Sequence, residues 1–302
     1  MKKRKKVNPK RVLFILSCVT IPVVSWLLQY VYVNLDAFTM AFTDRTGAFT
    51  LDNFVRFWNE MQNRDSDIRT AFRNTFLTFG VIMLLFPTQI MVSYFIYKKI
   101  PGAGIYRILF FLPSIIFSVA LSMIFMRIVG VNGAIAQTVQ RALGLDYAPD
   151  LLADSRFANI TVLLHMVWLG IPGDLIIWGG TFARIPEEVL ESGKIDGVNW
   201  WQEFTKITVP LVWPTVALKM VLNCCSVFGS SGAVFLLTKG NYGTMTLNAW
   251  MYLQIYNNTG THETSNVYNY MSAVGLVLTV IAVTISIFIR RWADKTFEEV
   301  EY

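Results

Sequence analysis

Four stretches of this chain contain no Asp, Glu, Lys or Arg: Val12–Leu35, Asn74–Tyr97, Ile108–Met126 and Thr264–Ile289. A helix of roughly 20 apolar residues crosses the hydrocarbon core of a bilayer, so each run is long enough to be a span. Two further segments, 157–182 and 207–238, qualify apart from one acid, Asp174, and one base, Lys219. The expected fold is an all-α membrane protein with six transmembrane helices at about 12–35, 74–97, 105–128, 157–182, 207–238 and 266–290. Only 15% of residues are charged and 54% are hydrophobic, whereas a soluble domain carries about 25% charged residues.

The net charge of +6 does not mark a nucleic-acid face, because the bases sort by membrane side. Seven of them fall within "MKKRKKVNPKR", directly before the first span. With the N-terminus inside, sixteen Lys and Arg are cytoplasmic and nine external, with Lys219 inside a span. The positive-inside rule therefore gives an N-in, C-in topology. Residues 1–11 form a basic cytoplasmic tail that touches anionic lipid, and 12–302 form one helical membrane domain. The first apolar run exceeds a signal-peptide core and no A-x-A-like site follows Leu35, so this segment is expected to stay attached. Cys18, Cys224 and Cys225 have neither metal nor disulfide spacing and read as small core residues.

Outside the spans, "TLDNFVRFWNEM" (50–61) and "VNGAIAQTVQRALGLD" (131–146) read as short surface helices, and 239–266 as an irregular loop with a partial helix around "LNAWMYLQIY". Pro87 and Pro172 lie within spans, which is tolerated where neighbouring groups satisfy the released carbonyls. The chain has no GxxxxGK[ST] phosphate loop, no HExxH and no GxSxG, and only two histidines, His165 and His262. It is not expected to be an enzyme or to hold a metal or cofactor. His165, alone in a span, reads as a hydrogen-bonding group between helices.

The stretch between spans four and five, "ESGKIDGVNWWQEFTKITVP" (191–210), is unusually charged for this chain. Pro186, Glu187 and Glu188 suit a helix N-terminus, and Gly197 suits its stop, because glycine accepts left-handed backbone. A second short helix runs from about Asn199 to Lys206, and Pro210 leads into span five. The stretch therefore reads as a helix-turn-helix at the cytoplasmic surface, shaped to dock into a partner's groove. An ordinary solvated loop would not need these residue types in this order.

This segment resembles the "EAA" loop of binding-protein-dependent ABC transporter permeases. The residues that carry the likeness are Glu191-Ser192-Gly193, Asp196-Gly197-Val198, Phe204 and Ile207-Thr208-Val209-Pro210. "ARIPEEVLE" and "WWQEF" are similar to the carbohydrate-uptake branch, of the maltose and multiple-sugar type. "AFRNTF", "RILFFLPSIIFSVALSMIFMRIVGVNGAI" and "LLTKGNYGTMTLNAWMY" extend the resemblance over nearly the whole chain. The departure is Ser192-Gly193 in place of Ala-Ala; Gly193 weakens the helix by roughly 1 kcal/mol.

The basic tail and the outer "LDNFVRFW" resemble the first of the branch's two permeases, while "ADKTFEEVEY" does not match the tail of the second. The resemblance implies a multi-pass subunit of a prokaryotic plasma membrane. It also implies a sister permease, two cytoplasmic ATPase subunits and an extracytoplasmic sugar-binding protein. Coupling to the ATPases would run through 187–206, with Glu191, Ser192, Gly193, Asp196, Gly197, Phe204 and Pro210 as its residues. A permease for another solute, such as a polyamine or phosphate, and a non-transporting scaffold or sensor are the competing readings.

Lys219, Asn223, Ser226 and Ser230 recur at i, i+4, i+7 and i+11, on one face of a helix. That face lines a water-filled path or glues two helices together. Gly229 to Gly232 are expected to loosen the helix there. Asp174 is about 8 residues from the inner end of its span and Lys219 about 11 from its own, or ~12 and ~16 Å deep at 1.5 Å per residue. Each charge alone costs ~2.5–3.5 kcal/mol at mid-membrane. The two are expected to pair at the edge of the path; the alternative has Asp174 capping the backbone near Pro172 and Lys219 bonding the sister permease.

Overall fold

The computed structural model describes residues 9–63, 66–229, 231–260 and 264–296. Among these residues it is all helix apart from turns and one isolated bridge between Thr43 and Phe49. Five helical stretches are long and apolar enough to cross a membrane: Phe14–Ala41, Asp67–Tyr97, Ser118–Leu143, Ala158–Phe182 and Ser265–Thr296. A sixth arises if the bent pair Trp200–Leu211 and Trp213–Cys225 is one span. The chain divides into two compact units, residues 1–59 with 254–278 and residues 60–253 with 279–302.

In the first unit, α1 (Pro9–Trp26), a widened π-type stretch (Leu27–Tyr32) and α2 (Val33–Ala41) run on continuously. This run exposes apolar side chains on every side, among them Phe14, Ile21, Leu28 and Leu35. A helix that is apolar all round is at home in lipid. Amides hold the next turn. Asn53, at the start of α3 (Asp52–Gln62), donates to Ala41 O and Thr43 O, while Asn269 donates to Thr43 O and Asp44 O at 3.0 and 3.1 Å. Asp44 Oδ1 accepts from the Thr46 and Ala48 amides and from the Thr46 hydroxyl. Those three donors, the hydroxyl foremost, hold the Asp44 carboxyl below the usual carboxylate range.

The second unit is built on α4 (Asp67–Tyr97). Pro87 lies inside α4 and lacks the N–H that would reach residue 83. Close by, the Thr88 hydroxyl donates to Leu85 O at 2.6 Å. Most hydroxyls of this unit turn back in the same way onto the preceding turn of their own helix, as Thr75, Ser93, Ser122 and Thr161 do. In lipid they have no water to satisfy them.

The apolar stretch 105–128 is two helices, α5 (Ala103–Ile115) and α6 (Ser118–Val129), parted where Ile116 and Phe117 turn extended. Pro113, one turn before the break, removes a helical donor. There follow α7 (Ala134–Leu143), α8 (Ala158–Gly170) and α9 (Leu175–Phe182). Two apolar clusters hold the unit together. Phe86, Ile90 and Tyr94 of α4 pack with Trp178, Phe182, Leu190, Phe204 and Val216. Phe125, Val129, Ala136 and Val162 pack with Val234, Leu237 and Ala249.

The segment 207–238 is broken more than once. α10 (Glu187–Ile195) leads through α11 (Trp200–Gln202), a π-type stretch (Glu203–Thr208) and α12 (Val209–Leu211). The axis then bends by 76° into α13 (Trp213–Cys225). Pro210 and Pro214 flank the bend and withdraw two successive donors from the ladder. After α13 come a 3₁₀ turn at Val227–Gly229, α14 (Gly232–Leu237), α15 (Leu247–Asn258) and α16 (Thr264–Thr296). The α-helix thus gives way after Cys225 to a turn and a 3₁₀ stretch, next to a Gly-Ser-Ser-Gly sequence of weak helix formers.

Candidate functional site

The charged loop builds itself from local signals. Extended Pro186 opens α10, and Glu187 and Glu188 occupy the first turn, where the helix dipole favours acids. At the other end Gly197 takes φ +75°. Its N–H donates to Lys194 O at 3.1 Å and that of Val198 to Gly193 O at 3.0 Å. This nested pair is the Schellman stop, which requires left-handed backbone at the glycine. Two residues later Asn199 opens α11 with a capping box. Its side chain accepts from the Gln202 amide at 2.9 Å, and the Gln202 side chain accepts from the Asn199 amide at 3.1 Å. Two reciprocal caps fix the angle between α10 and α11.

One face of the loop is locked into the unit. Leu190 and Gly193 are buried, and a Cβ on Gly193 would lie 2.8 Å from Ile207 Cδ1. Glycine lets α10 and the π-type stretch approach this closely. Phe204 is buried, with its ring 5.0 Å from that of Tyr94. The other face is open. Glu187, Glu188, Glu191, Ser192 and Asp196 are exposed, and so is Ile195, at 86%. Pro210 sits in α12, at the foot of the bend.

Glu203, an acid that sequence reasoning assigned no role, is 6% exposed. Its Oε1 forms an ion pair with Lys98 and accepts from the Tyr94 hydroxyl at 3.1 Å. The base and the phenol come from the end of α4, so a buried carboxylate joins that end to the loop. The signal was an acid next to Phe204 in "WWQEF" and a basic pair closing an apolar run, but nothing in the sequence joins the two.

Deeper in the same unit lies a cavity of about 350 Å³, lined among others by Gln89, Ser122, His165, Asp174, Asn223 and Gly232. Asp174 stands at the break between α8 and α9, where its side chain makes no cap bond. Instead its Oδ1 lies 3.0 Å from Lys219 Nζ of α13, and both side chains are under a fifth exposed. Gln89 donates to Gly170 O at 2.6 Å, across the same break.

His165 Nε2 and Ser122 Oγ lie 3.1 Å apart, and the Ser122 hydroxyl donates to Ser118 O. The His165–Ser122 hydrogen bond joins α8 to α6. Asn223 lies on the cavity wall. Ser226 caps the end of α13 and donates to Asn223 O. Ser230 lies outside the described residues, as does His262.

Comparison with known proteins places these features in a family. Residues 99–299 match the family described as "Binding-protein-dependent transport system inner membrane component". The lactose transport system permease protein LacF of Rhizobium radiobacter is 25% identical over 80% of this chain and 80% of its own length. The multiple sugar-binding transport system permease protein MsmF of Streptococcus mutans is 25% identical over 89% of this chain and 92% of its own. The maltose/maltodextrin transport system permease protein MalF of Vibrio vulnificus is 28% identical over 63% of this chain, a match that spans 36% of that protein.

The fold is that of a chain in the crystal structure of a bacterial ABC transporter involved in alginate import. The TM-score is 0.76 at 20% identity, over 94% of this chain and 96% of that one. The family match covers more than half of the sequence, and the helices are those of a multi-pass protein of a prokaryotic plasma membrane. This chain therefore belongs to the family of binding-protein-dependent transport system inner membrane components.

Proposed function

We propose that this protein is a permease subunit of an ATP-driven sugar importer. In this reading it spans the membrane six times with both termini inside and shares the translocation path with a sister permease. It takes substrate from an extracytoplasmic binding protein. It couples to two cytoplasmic ATPases through 187–206, where Glu191, Ser192, Asp196 and exposed Ile195 meet the ATPase, and Gly193, Gly197, Phe204 and Pro210 shape the helix pair that presents them.

One observation carries the reading. α10 has one face fixed in the protein core and the other face acidic around an 86%-exposed isoleucine. An exposed apolar residue within a polar rim is the composition of a docking surface. A push on α10 would pass through Glu203 to α4 and through the bent α12–α13 junction to Lys219, beside the cavity. The named sugars of the relatives, and a largely apolar cavity whose wall also carries Gln89, Ser122 and Asn223 and whose acid, Asp174, is neutralised by Lys219 beside it, favour an uncharged polyhydroxyl substrate.

The test is retention of the ATPase subunits by purified Glu191→Lys and Ile195→Asp variants, with sugar uptake measured at equal permease abundance. We expect at least a tenfold loss of retention, the equivalent of about 1.4 kcal/mol, with normal insertion. Normal retention and uptake in both variants would overturn the coupling assignment. Topology is read separately by single-cysteine labelling in a background without Cys18, Cys224 and Cys225. Position 194 should react only from inside, and labelling from outside in intact cells would reverse the orientation.

A further inference from the structure

A second cavity, of about 310 Å³, opens where the end of α4 meets the start of α5 and the glycine pair of α9. Its charged wall is Arg107, one turn into α5. Arg107 is exposed and, among the described residues, has no carboxylate or hydrogen-bond partner. Its helix neighbours Ile105, Ile108 and Leu109 are more than half exposed, so the guanidinium emerges from an exposed apolar surface. Tyr97 closes α4 and also lines the cavity; its ring packs on Phe182 at 5.7 Å, and no hydrogen bond is made by its hydroxyl among the described residues. The rest of the wall is Ser93, whose hydroxyl donates to Gln89 O, and the apolar Ile96, Phe111, Leu175 and Ile176. At Gly179 and Gly180 a Cβ would meet nothing within 4 Å, so the missing side chains leave a lane along α9.

A cation at the rim, a free phenol beside it and an open apolar lane behind match the parts of a phospholipid in order. Arginine is suited to phosphate, because its planar fork gives two parallel donors. The surface around Arg107 is apolar, and the phosphate plane of the bilayer supplies an anion at the depth where α4 and α5 end. The volume suits a head group and the first carbons of one acyl chain, with the remainder lying in the bilayer.

We propose that this cavity is a binding site for an anionic phospholipid, with its phosphate on Arg107 and the Tyr97 hydroxyl and one acyl chain along the Gly179–Gly180 lane. The site goes beyond the transport reading. Only its assignment to the inner leaflet rests on the topology proposed above.

The test uses the full-length protein in its purified transporter complex, exchanged into bilayers that contain phosphatidylglycerol and phosphatidylcholine, with retained lipid counted by native mass spectrometry. The wild type should keep phosphatidylglycerol in preference to phosphatidylcholine. Arg107→Gln should lose that preference by about fivefold, the order expected for one basic residue at the surface, and Arg107→Lys should keep part of it. Gly180→Leu, which fills the lane and leaves the arginine in place, should release the lipid as well, and it carries the test should Arg107→Gln fail to assemble.

Equal retention by wild type and Arg107→Gln would overturn the proposal, as would equal retention of the two lipids by the wild type. A photo-crosslinker attached at Ile176→Cys should capture lipid; capture of a partner subunit there would make the cavity a subunit interface and overturn the lipid site. Vesicles with phosphatidylglycerol in one leaflet separate the two readings, because binding from the outer leaflet would sink the topology and leave the site standing.

Discussion

Among the described residues, two partly buried ion pairs lie in the same unit and differ in a way that separates scaffold from moving part. Glu203 at the loop has two partners, Lys98 and Tyr94; its side chain is 7% exposed and that of Lys98 23%. Asp174 at the cavity has one partner, Lys219, and the two side chains are 18% and 17% exposed. A buried carboxylate with two donors and little room has no second arrangement. A singly bonded pair on a cavity wall can be opened by water or by a ligand hydroxyl without leaving a dry charge. The first pair is therefore a strut that holds α10 to α4. The second is a contact that substrate or helix movement can exchange.

The sharpest way to break this comparison is Glu203→Ala. It leaves Lys98, itself 23% exposed, and a buried phenol without their acid. Losing one member of a fully buried pair costs about 3–5 kcal/mol, and the partial exposure of the lysine puts this change at about 3 kcal/mol, the lower end of that range. We expect early proteolysis within 187–206 and a lower thermal midpoint of the purified complex. A midpoint within 1 °C of wild type would make Glu203 ornamental and remove the strut. Asp174→Asn and Lys219→Met should each cost less, about 2 kcal/mol, because the cavity can hydrate the remaining charge and lower the ~2.5–3.5 kcal/mol of an isolated one. Uptake should fall in both. The exchanged pair, Asp174→Lys with Lys219→Asp, should recover part of it; recovery no better than either single change would show that the two charges act separately.

The chain made its lipid-facing architecture legible and its breaks much less so. Charge-free runs announced long helices because the hydrocarbon core forbids charge over that length. The caps of the loop were legible too: Pro186 with two acids, and Gly197 after Asp196, are local instructions that no distant contact has to complete. Asp174 and Lys219 could be brought together by counting residues, since two charges at like depth on consecutive spans have few other partners. Glu203 could not, because its partners lie more than a hundred residues earlier and a surface acid next to a tryptophan pair is commonplace. The breaks at Ile116–Phe117 and Val212 were missed for a related reason. Pro113 and Pro214 resemble Pro87 in sequence, yet α4 continues through Pro87. Which proline breaks a helix depends on the packing around it.

If α10 is held as rigidly as its buried face implies, the stop at Gly197 should also matter, though less than either ion pair. A side chain at φ +75° costs about 1–2 kcal/mol, the cost of left-handed backbone. Gly197→Val should speed amide exchange at Gly197 and Val198, whose N–H groups form the stop, and weaken ATPase retention with the permease still inserted. Unchanged exchange at those two amides would show that the turn is fixed from elsewhere.

The smallest expected effect is the most discriminating, because two terms of opposite sign meet at Gly193. Alanine there gains about 1 kcal/mol of helix propensity. Its Cβ would, however, press to 2.8 Å on Ile207 Cδ1, the end of a flexible side chain that can turn aside at modest cost. Gly193→Ala alone should therefore fall within about 0.5 kcal/mol of wild type in thermal unfolding, the range of an unremarkable substitution. Ile207→Val removes the obstructing methyl group and by itself costs about 0.5–1.5 kcal/mol. Combined, the two changes should be more stable than their sum by about 0.5–1 kcal/mol, a coupling typical of residues in contact. A cycle that closes to zero would mean that α10 and the π-type stretch do not touch at this point. The loop would then be held by Leu190, Phe204 and Glu203 alone, and its rigidity would rest on the strut more heavily than the packing of α10 suggests.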